Sequence, residues 1–290
     1  MTIIFLDALV AGILTGGIYG ALAVGLSLIF GVMRFLNFAH GDFIMLAMFL
    51  AFFLNSFFGI SPLILVPVGI AVFFFFGFVV YKGVIRRAVG ASLLSQVFLT
   101  YGLSLVIENS ADLAFGSDYR IISTPFATQS VTVLNVVSMS TSYLIAFSFS
   151  IAIMVLVSIF LARTKLGVAM RAVSQDVESA TLMRINVDGV RSFTFALGIA
   201  LAGGAGVILT MIYYIYPYLS LTFTIDSFII VILGGMGSVP GAAIGGLFLG
   251  VSESVSNQFL SPALQDVWAF VLFLIILRLK PSGLLGRARA

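Results

Sequence analysis

RTKLGVAMRAVSQDVESATLMRINVDGVR, from Arg163 to Arg191, is the stretch that decides how the rest of the chain must be arranged. In a chain that is 61% hydrophobic and 9% charged, it gathers five Arg/Lys and three Asp/Glu, and long apolar runs flank it on both sides. A membrane span is a costly place for such charges. A solvated linker needs no apolar stripe, yet Met170, Val173, Val177 and Ala180 recur at helical spacing, opposite Arg171, Gln175 and Glu178. The segment is expected to lie at the membrane surface and to dock there. A helix beginning near Asp176, with that aspartate as N-cap, should end before the turn signal Asp188-Gly189. Its apolar side is small, with Ala172 and Ala180, and its polar side carries Glu178. Those features suit a protein groove, with Ala180 at the contact, whereas a lipid-bound helix sets a basic face against bulky apolar residues.

Outward from this island the chain is apolar. A mean hydropathy of +1.22 is far from soluble domains, in which about a quarter of residues are charged. Runs of about 20 apolar residues, the length a hydrocarbon core requires, recur at 8–32, 43–58, 62–81, 93–115, 143–162, 193–216 and 264–279. A broken apolar region, about 226–259, precedes the last. The ten-residue alternating segments of a β-barrel are absent. The expected fold class is an all-α polytopic membrane protein of about seven to nine transmembrane segments, counting broken or re-entrant helices, in one transmembrane domain over 1–290. The first run lacks a basic n-region and outlasts a signal peptide's apolar core, so it reads as a retained span.

Charge sets the topology. Twelve of the fourteen Arg/Lys fall in three places: Lys82, Arg86 and Arg87; the segment 163–191; and Arg278, Lys280, Arg287 and Arg289. The positive-inside rule puts all three in the cytoplasm. The loop 116–142 has only Arg120 and faces outward, which gives an external N-terminus. Arg34, at the end of the first span, can snorkel.

Two short stretches interrupt the pattern: NFAHGD at 37–42 and GGMGSVPG at 234–241. Irregular backbone at membrane depth is tolerated where protein or a watery cavity satisfies it. One interruption in each half suits a transporter of two repeats around a central pathway. Tight turns at the membrane surface are the alternative. Rows of small residues (Gly12, Gly16, Gly20; Gly198, Ala202, Gly206; Gly237, Gly241, Gly245) permit close helix approach and indicate packing.

Candidate pathway residues are Asn37, His40, Asp42, Gly235, Gly237 and Glu253. Glu253, in GLFLGVSESVSNQF, is costly in an apolar run and is either a polar substrate contact or an interfacial residue. His40 beside Asp42 forms either a proton relay or a structural hydrogen bond. Glu108 and Asp112 are solvated near an outer end, and Asp226 is placed to cap a helix opening the broken region. Candidate docking residues are Arg171, Asp176, Glu178, Ala180 and Arg184. There is no cysteine and one histidine, which excludes disulfides and a multi-histidine metal site within this chain. No G-x-x-x-x-G-K-[ST] occurs, so ATP, if used, is bound by another polypeptide and this chain carries no cofactor.

GLSLIFGVMRFLNFAHGDFIMLAMFL (Gly25–Leu50), TKLGVAMRAVSQDVESATLMRINV (Thr164–Val187), FTFALGIALAGGAGVIL (Phe193–Leu209), ILGGMGSVPGAAIGGLFLGVSES (Ile232–Ser254) and the terminal LRLKPSGLLGR resemble the permeases of branched-chain amino-acid ABC importers, and among them the shorter, H-type subunit. The resemblance implies a bacterial inner-membrane importer with a homologous second permease, two ATPase subunits and an extracytoplasmic substrate-binding protein, with no role for nucleic acid. It implies that 176–188 is the coupling segment seated in an ATPase groove. The family commonly has glycine where this chain has Arg184, so an arginine there is strained if the position needs φ > 0. Two alternatives stand beside this reading: a stand-alone secondary transporter or channel using Glu253, Asp42 and His40, and an importer of urea or short amides.

Overall fold

The computed structural model describes residues 2–133, 137–259, 265–280 and 282–285. In chain order the elements are α1 (Thr2–Met33), α2 (His40–Phe58), α3 (Pro62–Gly83), a 3₁₀ turn (Ile85–Arg87), α4 (Leu93–Phe115), α5 (Pro125–Thr128), β1 (Ser130–Val133), β2 (Val137–Ser140), α6 (Thr141–Arg163), α7 (Lys165–Gln175), α8 (Val177–Leu182), α9 (Val187–Leu209), α10 (Leu219–Gly234), α11 (Val239–Phe259) and α12 (Gln265–Leu279). Among the described residues six helices, α1, α2, α3, α6, α9 and α11, are long and apolar enough to cross a membrane. α10 and the end of α12 are shorter apolar helices, and α4 is long but bears Glu108 and Asp112. The described residues are all-α apart from the antiparallel hairpin β1–β2 in the outer loop and one isolated bridge, Arg120 to Ile215.

The basic ends share one side. Arg86 pairs with Asp188 at the start of α9 (3.1 Å), and Arg34, Arg171 and Leu285 line one cavity. Arg287, Arg289 and Leu264, the first residue of the last expected span, lie outside the described residues.

α1 and α9 form the centre, where small residues let backbones touch. α11 runs antiparallel along α1, and a Cβ added at Gly16 would lie 2.6 Å from Leu247 Cα. α3 runs along α9 in the same manner, with Gly77 against Ala196. α2 packs on α9, α10 on α1, and α2 meets α10. α1–α2–α3 is thus mirrored by α9–α10–α11 in opposite direction, an inverted repeat. Each half has a helix, an irregular stretch (34–39 or 210–218), a second helix, a glycine turn (Gly59–Ser61 or 235–238) and a third helix opened by a proline, Pro62 or Pro240.

This pairing corrects the one expected from sequence. NFAHGD answers to 210–218, and GGMGSVPG answers to the Gly59 turn. NFAHGD is no surface turn: Asn37, His40 and Asp42 are fully buried. His40 Nε2 lies 2.9 Å from Leu22 O, eleven residues before α1 ends, or roughly 16 Å along the helix axis. GGMGSVPG is a tight turn between two helices, with Gly235 and Gly237 at φ 101° and 86°, conformations that favour glycine.

Three other expectations change. The span 193–216 is α9, which begins at Val187 and stops at Leu209. Beyond it Ile215 exchanges backbone hydrogen bonds with Arg120 (3.0 and 2.8 Å), fastening 210–218 to the outer loop. Asp226 lies mid-way along α10 and does not cap it; Tyr218 holds that position. Asp188-Gly189 is no turn but the first turn of α9, where Asn186 Oδ1 accepts from Gly189 N (3.0 Å). A cap residue three positions upstream converts the dipeptide's turn preference into a helix start.

Candidate functional site

α1, α6 and α11 enclose a groove with a cavity at each end. The outer cavity, about 420 Å³, is lined by Thr15, Tyr19, Tyr143, Tyr213, Glu253 and Asn257, among others. Ser254 Oγ donates to Ala8 O (2.7 Å), fastening α11 to the start of α1. One residue earlier, the Glu253 carboxylate, 5% exposed, accepts from Tyr19 OH (2.9 Å). Glu253 is therefore buried and held, where the interfacial alternative had it solvated.

The inner cavity, about 750 Å³, is lined by Arg34, Ser158, Arg171, Ser174, Gly237 and Ser238, with Leu285 of the C-terminal tail at its edge. That tail is held by Leu284 N to Leu233 O (2.7 Å) and Leu285 N to Gly234 O (3.1 Å), which satisfy carbonyls at the end of α10. Between the cavities α6 presses on α1: a Cβ added at Gly20 would lie 3.1 Å from Met154 Sδ and 3.2 Å from Ala243 Cα, and Phe147 packs on Gly17.

The expected pathway residues separate into two groups. Glu253 lines the outer cavity and Gly237 the inner one. Asn37, His40 and Asp42 line neither; they form a buried polar centre where α2 begins beside α10, with Gly41 N donating to Thr224 Oγ1 (3.0 Å). Asn37 Nδ2 and His40 Nδ1 lack hydrogen-bond partners there, and the Asp42 carboxylate lies beside the Ser104 and Ser220 hydroxyls. His40 makes a structural hydrogen bond through Nε2, as one of the two alternatives had it. Gly235 shapes the turn without lining a cavity. Near the outer end Glu108 accepts from Ser220 Oγ (3.0 Å) and Asp112 from Ser117 Oγ (2.6 Å), so both carboxylates have protein partners.

The docking segment is two helices, because Asp176 ends α7 and caps α8. Its carboxylate accepts from Ser179 Oγ (2.6 Å) and Glu178 N (2.9 Å). These bonds, the Ser179 hydroxyl first, hold its pKa below the usual carboxylate range. The cap is thus intact at neutral pH and is lost only as pH falls through that lowered value. Arg171 lines the inner cavity and donates to Leu161 O. Glu178 and Arg184 are exposed.

Ala180 corrects an expectation. It is 3% exposed and turned into this chain together with Met170 and Val173. Those three hold α7 and α8 against their own protein, while Val177, the fourth residue of the stripe, is 39% exposed. The apolar residues turned furthest outward here are Leu182, which ends α8, and Met183 just after it, 80% and 78% exposed. Periodicity marked the buried face correctly but could not say whose core it joins; two large apolar residues outside the stripe were the available signal. Arg184 has φ 58°, so the position does require the left-handed region that glycine takes easily.

The family described as "Branched-chain amino acid transport system / permease component" matches residues 8–277. The chain is 31% identical to the high-affinity branched-chain amino acid transport system permease protein BraD of Pseudomonas aeruginosa and equally to LivH of Escherichia coli, over 98% of this chain and 96% of each relative. It is 30% identical to the probable branched-chain amino acid transport permease protein LivH of Methanocaldococcus jannaschii, over 91% of this chain and 87% of that one. No solved structure matches it. With its apolar helices, the likeness makes this a multi-pass inner-membrane transport component. The chain belongs to the family of branched-chain amino acid transport system permeases.

Proposed function

We propose that this chain is the H-type transmembrane subunit of an ATP-driven importer and forms half of a pathway for branched-chain or other neutral amino acids. The observation that carries the reading is the groove between α1, α6 and α11, with one cavity at each membrane face and a close-packed waist between them. Alternating access needs such an arrangement: two half-sites, only one open at a time. The cargo class rests on the relatives' names.

The partners in this reading are a homologous second permease, two ATPase subunits that bind ATP, and an extracytoplasmic binding protein. The chain itself holds no cofactor and no nucleotide-binding motif. α8 is the coupling element, with Leu182 and Met183 entering the ATPase groove and Asp176, Glu178 and Arg184 around them. α7 and α6 lead from it to the waist at Met154, with breaks at Asp176 and Thr164, so an ATPase movement reaches the groove through three short-linked helices packed in series.

A second reading, a stand-alone ion-coupled transporter, draws on the buried centre of Asn37, His40 and Asp42. Reconstitution decides between them. Leucine uptake that requires ATP and the partner subunits supports the importer; uptake by the chain alone, driven by an ion gradient, overturns it.

A further inference from the structure

We propose that the outer cavity is a recognition site for an ammonium group, so that the permease itself selects amine-bearing cargo over uncharged amides and urea. Among the described lining residues Glu253 is the only charged one, and they include no Arg or Lys. It is buried at the wall, and its carboxylate accepts from the Tyr19 hydroxyl. Tyr19, Tyr143 and Tyr213 line the same cavity, and aromatic rings attract cations. A volume of about 420 Å³ suits a small solute and lies within the range of ligand pockets.

The chemistry follows from the lining. An ammonium ion entering this cavity exchanges water for a carboxylate and aromatic rings, in a place where partial burial strengthens their attraction. A carboxylate entering alone meets Glu253 as a like charge. A zwitterion fits with its ammonium toward Glu253 and its carboxylate toward Asn257 and the cavity mouth, where Asn257 is exposed. A neutral amide gains neither contact with charge, which separates this cargo class from urea and short amides.

The inference rests on the importer reading and deepens it, and its test keeps the two separable. The complex of this chain with its partner permease and ATPases, in nanodiscs and without the binding protein, is probed by saturation-transfer NMR. The probes are 3-methylbutylamine and 4-methylpentanoate, which keep the leucine side chain but retain only the amine or only the carboxylate. The amine should bind at least roughly tenfold more tightly than the acid, and Glu253→Gln should weaken it by about as much, with Glu253→Asp restoring most of the loss. Equal binding of the two probes, or a Glu253→Gln complex that binds the amine as well as wild type, overturns the proposal. If Glu253→Gln does not assemble, the wild-type comparison of the two probes decides alone. Failure of the importer reading would appear elsewhere, as absence of ATP-dependent leucine uptake by the wild-type complex with its binding protein.

Discussion

Around the outer cavity the charged lining side chain is Glu253, set among Tyr19, Tyr143 and Tyr213; around the inner cavity the charged lining side chains are Arg34 and Arg171, set among serines. The two ends of one groove therefore favour opposite halves of a zwitterion. On the importer reading proposed above, a cargo entering from outside would meet the outer end at its ammonium and the inner end at its carboxylate. The waist at Gly20 and Met154 keeps the two environments apart. A passive pore would gain nothing from such polarity, whereas an alternating pathway uses each end at a different time.

The largest effect should come from obstructing the waist. The chain has no cysteine, so Met154→Cys introduces the chain's only thiol at the waist without adding bulk. Its uptake should persist until a bulky thiol reagent is attached and then fall by more than about tenfold. Full uptake after labelling would mean that the two cavities are not ends of one path. Next comes the double substitution Leu182→Asp with Met183→Asp. ATPase co-purification should drop by about tenfold or more while amine binding outside is unchanged; retained co-purification would remove α8 from the interface. Ala180→Trp, by contrast, should destabilise the chain itself, since Ala180 is buried within it.

A smaller effect isolates the inner cavity. Arg34→Gln with Arg171→Gln should slow uptake about threefold, the scale of partly solvated charge contacts, and leave the outer cavity's affinity alone. An equal loss at both ends would show that the polarity is not divided as drawn. Smallest is Arg184→Gly, which touches neither cavity. It relieves a left-handed non-glycine backbone worth about 1 kcal/mol and should raise Tm by roughly 2 °C in a thermal-unfolding scan.

The sequence disclosed much of this because lipid leaves the chain few options. Apolar length marked the helices, and Arg/Lys placement gave their direction. The Asp176 cap was legible because its acceptor oxygen and its donors are close in sequence. What escaped was tertiary. The stripe through Met170, Val173 and Ala180 is equally compatible with a partner's groove and with this chain's own core. Thr210 to Tyr216 is apolar enough to read as more of α9, yet the helix is capped at Thr210 and Ile215 pairs with the backbone of Arg120. Glu253 stood out by its charge, but Tyr19 and Tyr213 carry no such mark and join it only through folding. The repeat was sensed from two interruptions and matched to the wrong pair, because a glycine turn and a buried irregular stretch look alike as letters.

The antiparallel seam between α1 and α11 has a consequence for biogenesis. Gly12 meets Val251 and Gly16 meets Leu247, contacts separated by about 240 positions of chain. At about 5–20 residues per second of synthesis, roughly 10–50 s pass between insertion of α1 and the arrival of its partner. During that interval the glycine face of α1 is open to lipid or to another helix. Quality control of this protein should therefore concentrate on its first helix, and a translation pause before α11 should cost more folded permease than a pause after it.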